Sequence, residues 1–215
     1  MSKSLVLKVV SSEMKSYGGF QWPGVGGKAT AEDWQPTKEC TNGLHGWLNG
    51  VGGIDCQSWS QYKDAKWLVL SVDTAQIIDL GGKVKFPEAE VIYVGGMSDA
   101  AQVILNSGFA GPVIGASIIG GNSSTLTGGH RSSLTGGDES TLTGGNGSTL
   151  TGGNGSMLTG GDESTLTGGD CSILQISYYY NRKRIATAYV GEDGILPNVP
   201  YKLDSNYKFV EVKGD

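Results

Sequence analysis

The most reactive side chains in the N-terminal half of the chain are Cys40, His45 and Cys56. A cysteine beside a histidine can act as an activated nucleophile, and Cys-x4-His followed by a second Cys could supply three zinc ligands. The spacing matches no compact zinc motif, and Asp55 is the only obvious fourth ligand nearby. A turn at Gly43, with His45 in a structural hydrogen bond, explains the same stretch without chemistry. The sequence therefore favours a non-catalytic protein without metal or cofactor, and leaves an enzymatic or ligand-binding site here as an alternative.

Hydroxyl-bearing side chains recur in the second half of the chain with a strict period of eight residues. The consensus is Ser-Thr-Leu-Thr-Gly-Gly-(Asn/Asp)-x, and its paired glycines run from Gly120-Gly121 to Gly168-Gly169. A fixed period of this kind indicates a solenoid, in which stacked repeats share one core. Side chains alternate along a strand, so Ser and Leu share one face of each strand and the two Thr share the other. We expect the solenoid core to consist of the recurring leucines Leu126, Leu134, Leu142, Leu150, Leu158 and Leu166.

Each octad supplies one strand and one turn, so two octads make a coil of about sixteen residues. The inward serines should form a stacked hydroxyl ladder because buried hydroxyls need partners. Gly-Gly-(Asn/Asp) should form the turns, since these residues tolerate positive φ, and His130 should be solvated at one of them. A disordered Gly/Ser/Thr linker is the alternative, but the strict phase of Leu and Gly argues against it.

The outward threonines should form two flat faces, and we take both as candidate binding surfaces. Alternate residues of a strand lie roughly 6.6 Å apart and stacked strands ~4.8 Å apart, so each face is a regular grid of hydroxyls and methyls. Thr also suits any exposed sheet face because it is β-branched. The residues of face 1 are Thr125, Thr127, Thr141, Thr143, Met157 and Thr159, and those of face 2 are Ser133, Thr135, Thr149, Thr151, Thr165 and Thr167.

The octad resembles half of the sixteen-residue repeat of bacterial ice nucleation proteins, and the Thr-x-Thr rows resemble those of β-solenoid antifreeze proteins. This resemblance implies ice binding. The head and tail of the chain resemble an uncharacterised family of tailed phages and prophages, whose motifs carry no known chemistry. The stretches concerned are Met14-Lys-Ser-Tyr-Gly-Gly-Phe-Gln-Trp-Pro23, Cys40-Thr-Asn-Gly-Leu-His45, Tyr201-Lys-Leu and Phe209-Val-Glu-Val212. This second resemblance implies a phage or prophage source and a β-rich fold.

The flanking segments predict two further domains around the solenoid. We expect a loop-rich α+β domain at 1–110, the solenoid at 111–175 and a small β cap at 176–215. The domain at 1–110 should contain one helix near 98–107, with Ser98 as N-cap, and an irregular stretch over 11–62. Strands are predicted at Ser4 to Val10, Lys66 to Val72, Ile77 to Leu80, Lys83 to Phe86, Glu90 to Val94, Ile173 to Tyr180, Arg184 to Val190, Tyr201 to Leu203 and Tyr207 to Val212.

Composition limits the classes of function. A net charge of −5 disfavours nonspecific nucleic-acid binding. The three cysteines form no disulfide framework, and the sequence shows no signal peptide or membrane span. We therefore predict a cytoplasmic protein, inside the bacterial host if phage-encoded, with no membrane partner.

Together these features predict an interaction or scaffold protein. Its flat solenoid face would serve self-association as a homodimer, or would bind and block a host protein. The apolar break in the Thr grid at Met157 and Ile173 motivates this prediction. Ice binding through the Thr-x-Thr rows is the first alternative, and a head-domain site at Cys40 and His45 is the second.

Overall fold

The computed structural model of the chain describes residues 2–53 and 64–213, so Asp55 and Cys56 lie outside the described residues. The protein is mainly β, with a β-solenoid of about 4 turns around residues 117–176 and strand-rich ends, as the sequence predicts. The chain divides into two compact units, Met1–Val113 and Ile114–Asp215. The finer division into three domains remains a prediction.

The first unit is built on a seven-stranded sheet with the order β2-β7-β4-β1-β3-β6-β5. Its centre is formed by β1 and β4, whose Val- and Leu-rich sequences are buried on both faces of the sheet. The strands are β1 (Lys3–Val10), β2 (Lys28–Thr30), β3 (Leu44–Leu48), β4 (Lys66–Asp73), β5 (Ile78–Asp79), β6 (Val84–Phe86) and β7 (Glu88–Gly95), with short 3-10 helices at Tyr17–Gly19 and Thr74–Gln76.

A single α-helix among the described residues, α1 (Met97–Asn106), packs on this sheet against β1, β4 and β7. Ala100, Ala101 and Ile104 form its buried face. The helix begins one residue before the predicted N-cap: Gly96 occupies the cap position and makes no side-chain capping bond. Ser98 therefore lies inside the first turn.

Two strands fall in the stretch that the sequence predicts to be irregular, namely β2 and β3. Strand β2 has only three residues, and β3 lacks an alternating pattern because it is buried at three of its five positions and contains Gly46. A Cβ at Gly46 would collide with the side chain of Val6 on β1, so the glycine permits the close approach of β3 to β1. Tertiary packing rather than local preference specifies this strand.

The second unit contains the solenoid, whose octads alternate between two parallel stacks. Hydrogen-bonded neighbours within a stack are sixteen residues apart, so Leu134 pairs with Leu150 and Leu142 with Leu158. One stack consists of β8 (Ser117–Ile119), β10 (Ser133–Thr135), β12 (Thr149–Gly152) and β14 (Thr165–Gly168), and the other of β9 (Thr125–Thr127), β11 (Thr141–Thr143), β13 (Met157–Gly160) and β15 (Ile173–Tyr180).

Antiparallel strands continue both stacks at their C-terminal end. A long hairpin pairs β15 with β16 (Arg182–Tyr189), and Asn181, with a positive φ of 58°, joins the two strands. The other stack continues through β17 (Pro200–Leu203) to β18 (Phe209–Glu211). The ring of Tyr207 stacks on Tyr178 with centroids 4.1 Å apart, which joins the last loop to the hairpin. These strands cover the last coil and protect its leucines from solvent.

Candidate functional sites

The solenoid interior consists of a leucine column and a serine column. Leu134, Leu142, Leu150, Leu158 and Leu166 are fully buried, and Leu126 is partly buried against the same cluster. The predicted serine ladder is confirmed. The hydroxyls of Ser148, Ser156, Ser164 and Ser172 each accept a backbone N–H from the preceding coil, for example from Ser132 N to Ser148 Oγ at 3.2 Å. The Ser148 hydroxyl in turn donates to the carbonyl of Gly129. The serines are therefore hydrogen-bonded inside an otherwise apolar core.

A second ladder runs along the turns at the Asn/Asp position. The side chains of Asn122, Asp138, Asn146 and Asn154 each accept the backbone N–H of the residue one coil later, as between Asp138 Oδ1 and Asn154 N at 2.8 Å. His130 takes the same place, and its Nδ1 accepts the N–H of Asn146 at 3.1 Å. His130 lies at a turn as expected and is half-buried there, and it also has a structural role in the ladder that the sequence did not predict.

Most of the paired glycines allow close packing and do not adopt positive φ. A Cβ on Gly144 would lie 2.7 Å from the Cβ of Ser148, and one on Gly145 would lie 2.7 Å from His130 N in the previous coil. Positive φ occurs instead at the eighth octad position, which holds residues as different as Arg131, Glu139 and Gly147. The predicted turn thus forms, but its left-handed residue lies two positions after the glycine pair.

The structure brings the predicted residues of face 1 together on β9, β11 and β13. Thr141 is in register with Thr125 and Met157, and Thr143 is in register with Thr127 and Thr159. The four threonines of β9 and β11 are exposed, whereas Thr159 is half-buried and hydrogen-bonds the side chain of Gln175. Face 1 is therefore most regular at its N-terminal end, where Thr125, Thr127, Thr141 and Thr143 form a two-by-two grid.

Face 2 has the same register on β10, β12 and β14, and it is less exposed. Ser133 and Thr135 align with Thr149 and Thr151, and these align with Thr165 and Thr167. Ser133, Thr135 and Thr149 are exposed, but the other three are half-buried. Pairing of Thr167 with Pro200 on β17 continues the sheet beyond this face.

In the first unit, Cys40 and His45 line one cavity of about 660 Å³. Burial lowers the pKa of His45 from 6.5 to about 4, the like charges of Lys83, Lys8 and Lys85 lower it in the same direction, and a backbone hydrogen bond with Gly43 raises it. His45 is therefore neutral at neutral pH. Within residues 2–53 and 64–213, no three His, Cys, Asp or Glu side chains gather to hold a metal ion.

Two further residues line this cavity that the sequence analysis does not identify as site residues. Lys8 is only 6% exposed, and burial together with the like charge of Lys83 lowers its pKa from 10.5 to about 8. Trp22 is 2% exposed, and its Nε1 lacks a hydrogen-bond acceptor among the described residues. Two features of the sequence could have indicated these residues. One is a lysine inside the apolar run of β1, and the other is the tryptophan of the Gly-Gly-Phe-Gln-Trp stretch.

Comparison with known proteins separates the two halves of the chain. Residues 4–103 match a protein family described as a domain of unknown function (DUF7666). The chain is 37% identical over 106 residues to the ice nucleation protein InaU of Pantoea ananas, and 39% identical over 106 residues to an ice nucleation protein of Pseudomonas syringae. The solenoid repeats are similar to those of ice nucleation proteins. The resemblance stated from the octads is thereby confirmed, whereas a phage source remains a prediction.

The extent of this similarity is limited. Each alignment covers 48% of this chain, but only 10% of the Pantoea relative and 9% of the Pseudomonas relative. An ice nucleation protein of Xanthomonas campestris pv. translucens is 38% identical over 108 residues, which is 7% of its length. No solved structure matches the chain significantly.

The similarity also corrects the predicted location. Ice nucleation proteins are anchored in the bacterial outer membrane, which conflicts with a cytoplasmic location. A sequence without a recognisable signal peptide or membrane span does not by itself indicate a cellular location. No helix in the described part of the chain is long and apolar enough to cross a membrane.

Proposed function

We propose that the solenoid binds ice through face 1. The observation that carries this proposal is the exposed grid formed by Thr125, Thr127, Thr141 and Thr143 on two in-register parallel strands. The similarity of the repeats to ice nucleation proteins supports the same function. Each threonine offers a hydroxyl that hydrogen-bonds water and a methyl that orders water around it.

The backbone makes this grid rigid before any ligand arrives. Thr141 N donates to the Ser124 carbonyl at 2.8 Å, and Gly128 N donates to the Thr143 carbonyl at 2.9 Å, so both ends of β11 are tied to the neighbouring coil. Threonine is also stiff at χ1 because it is β-branched. Adsorption to a crystal therefore costs little side-chain entropy, which is the benefit of a preorganised surface.

The small size of the face favours binding to existing ice over nucleation of new ice. Only β9, β11 and β13 contribute to face 1, and Met157 interrupts its third strand. At ~4.8 Å per strand, such a face orders far fewer water molecules than the much longer relatives can. We therefore infer an ice-adsorbing role, detectable as thermal hysteresis.

The test compares wild-type protein with Thr141→Lys and Thr143→Lys in thermal hysteresis and in partition into slowly grown ice. Lysine replaces a short, stiff side chain with a long, strongly hydrated one, so both variants should lose most of the activity. Ser123→Lys adds the same charge at an exposed turn off both faces and should retain activity; Arg131 already places a long cation at the equivalent position. Unchanged far-UV circular dichroism would show that all variants fold.

A wild-type protein with neither hysteresis nor incorporation into ice would refute ice binding. Loss of activity in Thr149→Lys but not in Thr141→Lys would assign the activity to face 2 instead. Freezing of supercooled droplets measures nucleation separately, and we expect little effect there.

Self-association or capture of a host protein is the other use for these faces. Its support is the register pairing of Met157, which is 42% exposed, with the half-buried Ile173. This apolar patch is small, so we rank the function below ice binding. Sedimentation equilibrium of wild type and Met157→Lys decides whether the patch forms a dimer.

A further inference from the structure

The cavity of the first unit has the size and lining of a ligand site. Its volume of about 660 Å³ lies within the usual range for small-molecule pockets. It is formed where β1 and β3 meet the loops that precede β2 and β3. Its lining combines cationic, aromatic and apolar groups, chiefly Lys8, Lys83, His45, Trp22, Phe20 and Leu44.

Positive charge in this cavity lacks a buried counter-charge. Lys83 acts on both Lys8 and His45 as a like charge, and no carboxylate offsets it at either group. The ion pairs among the described residues, Lys15–Glu13 and Lys28–Glu88, lie on exposed side chains. A buried lysine without an ion-pair partner is costly to the fold.

The acidic residues of the cavity do not neutralise it. Glu32 and Asp33 line the cavity, but both are exposed. Asp33 is also engaged, since its Oδ1 accepts the Gly43 N–H at 3.1 Å. Lys85, by contrast, donates to the carbonyls of Glu39 and Thr41, both at 3.0 Å. The cations that face the cavity with free hydrogen-bonding capacity are therefore Lys8 and Lys83.

Two buried polar atoms among the described residues lack hydrogen-bond partners, and both belong to residues that line this cavity. They are Trp22 Nε1 and His45 Nε2. Indole nitrogen is only a donor, so Trp22 requires an acceptor. Buried polar groups are rarely left unsatisfied, and two at one cavity that also contains a buried lysine indicate a shared ligand.

An apolar wall completes the cavity. Phe20 packs edge-to-face on Trp22 with ring centroids 5.3 Å apart, and the buried side chains of Ala31 and Leu44 adjoin them in the lining. Such a surface suits a flat apolar or aromatic group next to the cationic end.

We propose that this cavity binds a small molecule in which a carboxylate or phosphate is attached to an apolar or aromatic group. The oxyanion accepts hydrogen bonds from the ammonium of Lys8 and the indole N–H of Trp22, and Lys83 adds attraction. The apolar group packs on Phe20 and Leu44. His45 lies beside the anion and gains a partner for Nε2 when its imidazole is protonated.

The test titrates the full chain with benzoate and phenyl phosphate, with benzamide as the neutral control. The chain has only two histidines, so His130→Asn leaves the His45 imidazole as a single nuclear magnetic resonance reporter. A bound anion should raise the pKa of His45 by about one unit, because an opposite charge favours the imidazolium. Comparing the two anions distinguishes carboxylate from phosphate, and benzamide should cause no such shift.

Variants then identify the groups that hold the anion. Lys8→Met should weaken binding about tenfold or more, the usual effect of losing a hydrogen bond to a charged group. Trp22→Phe keeps the ring and removes the donor, and should weaken binding several-fold. Lys3→Met, at an exposed position of the same strand, should leave binding unchanged.

Either of two results would overturn the proposal. The first is that neither anion shifts His45 in a saturable way, or that benzamide binds as well as benzoate. The second is that Lys8→Met binds with wild-type affinity. Neither result would bear on ice binding, which belongs to the other unit.

Discussion

Replacement of Lys8 by methionine should stabilise the first unit at neutral pH. Lys8 lies on the central strand β1 and is only 6% exposed, and it forms no ion pair among the described residues. The like charge of Lys83 adds to the cost of burying it. Methionine keeps most of the aliphatic stem and removes the charge. A site built for a ligand should impose this kind of cost on the unliganded protein.

The size of the effect follows from the pKa of Lys8, which falls from 10.5 to about 8 on folding. One pKa unit corresponds to about 1.4 kcal/mol, so the buried charge costs about 3 kcal/mol as an upper estimate. Between pH 8 and 10.5 the unfolded chain binds a proton that the folded chain does not. Wild-type stability should therefore rise with pH through this window, whereas at pH 7 the folded state carries the whole cost.

Urea unfolding followed by tryptophan fluorescence measures this effect in the first unit alone, because all five tryptophans lie between Trp22 and Trp67. At pH 7, Lys8→Met should unfold with a free energy about 1–3 kcal/mol higher than wild type, and the gap should shrink towards pH 10.5. Lys3→Met should change stability by less than about 0.5 kcal/mol at either pH. A destabilised Lys8→Met, or a gap independent of pH, would refute the inference that an unpaired ammonium is buried here.

Three further outcomes are expected. Gly145→Ala should destabilise the second unit by about 1–3 kcal/mol in thermal unfolding, because the added Cβ meets the backbone of the previous coil. Gly147→Asn should be tolerated, because asparagine accepts the positive φ of this position. Equal effects of the two substitutions would contradict the close-packing role of Gly145. His130→Ala should lower the free energy of unfolding by about 1 kcal/mol, because it removes the acceptor of the Asn146 N–H, and His130→Asn should keep the wild-type stability. Equal stability of the alanine variant and the wild type would show that the turn ladder does not stabilise the fold. The first unit should lose stability as pH falls from 6.5 towards 4, since the unfolded chain protonates His45 first, and His45→Gln should remove this dependence in acid urea titrations.

The solenoid could be predicted from the sequence because each of its interactions repeats with the octad. Leu142 and Leu150 belong to one cluster of equivalent leucines. A prediction that is right for the leucine of one octad is therefore right for the leucines of the others. The sequence does not predict which residue has positive φ, because glycine can serve either of two purposes. It can adopt a positive φ in a turn, or it can allow close contact with a neighbouring coil, and Gly145 does the second. Arg131 and Glu139 occupy the eighth position of successive octads, and both have positive φ. Neither residue type favours that conformation, so the residue types at this position did not indicate it.

The first unit could be predicted less well, since its contacts join residues far apart in sequence. The central strands were found from their apolar runs, but β3 depends on Gly46 accepting the close approach of β1, which no local pattern records. The cavity was missed for the same reason. Cys40 and His45 were found by residue type, yet Lys8 and Trp22 join them only through the fold.

The two candidate sites differ in how they relate to stability, and this difference makes both testable. In the solenoid, Leu, Ser, Gly and Asn/Asp supply the core, the ladders and the close contacts, while the threonines of face 1 point outward and support none of these. Thr141→Lys can therefore abolish ice binding in a folded protein. In the first unit the proposed ligand group, Lys8, is itself buried, so its removal should weaken binding and strengthen the fold together. A residue that served only packing would show the opposite sign in the stability measurement.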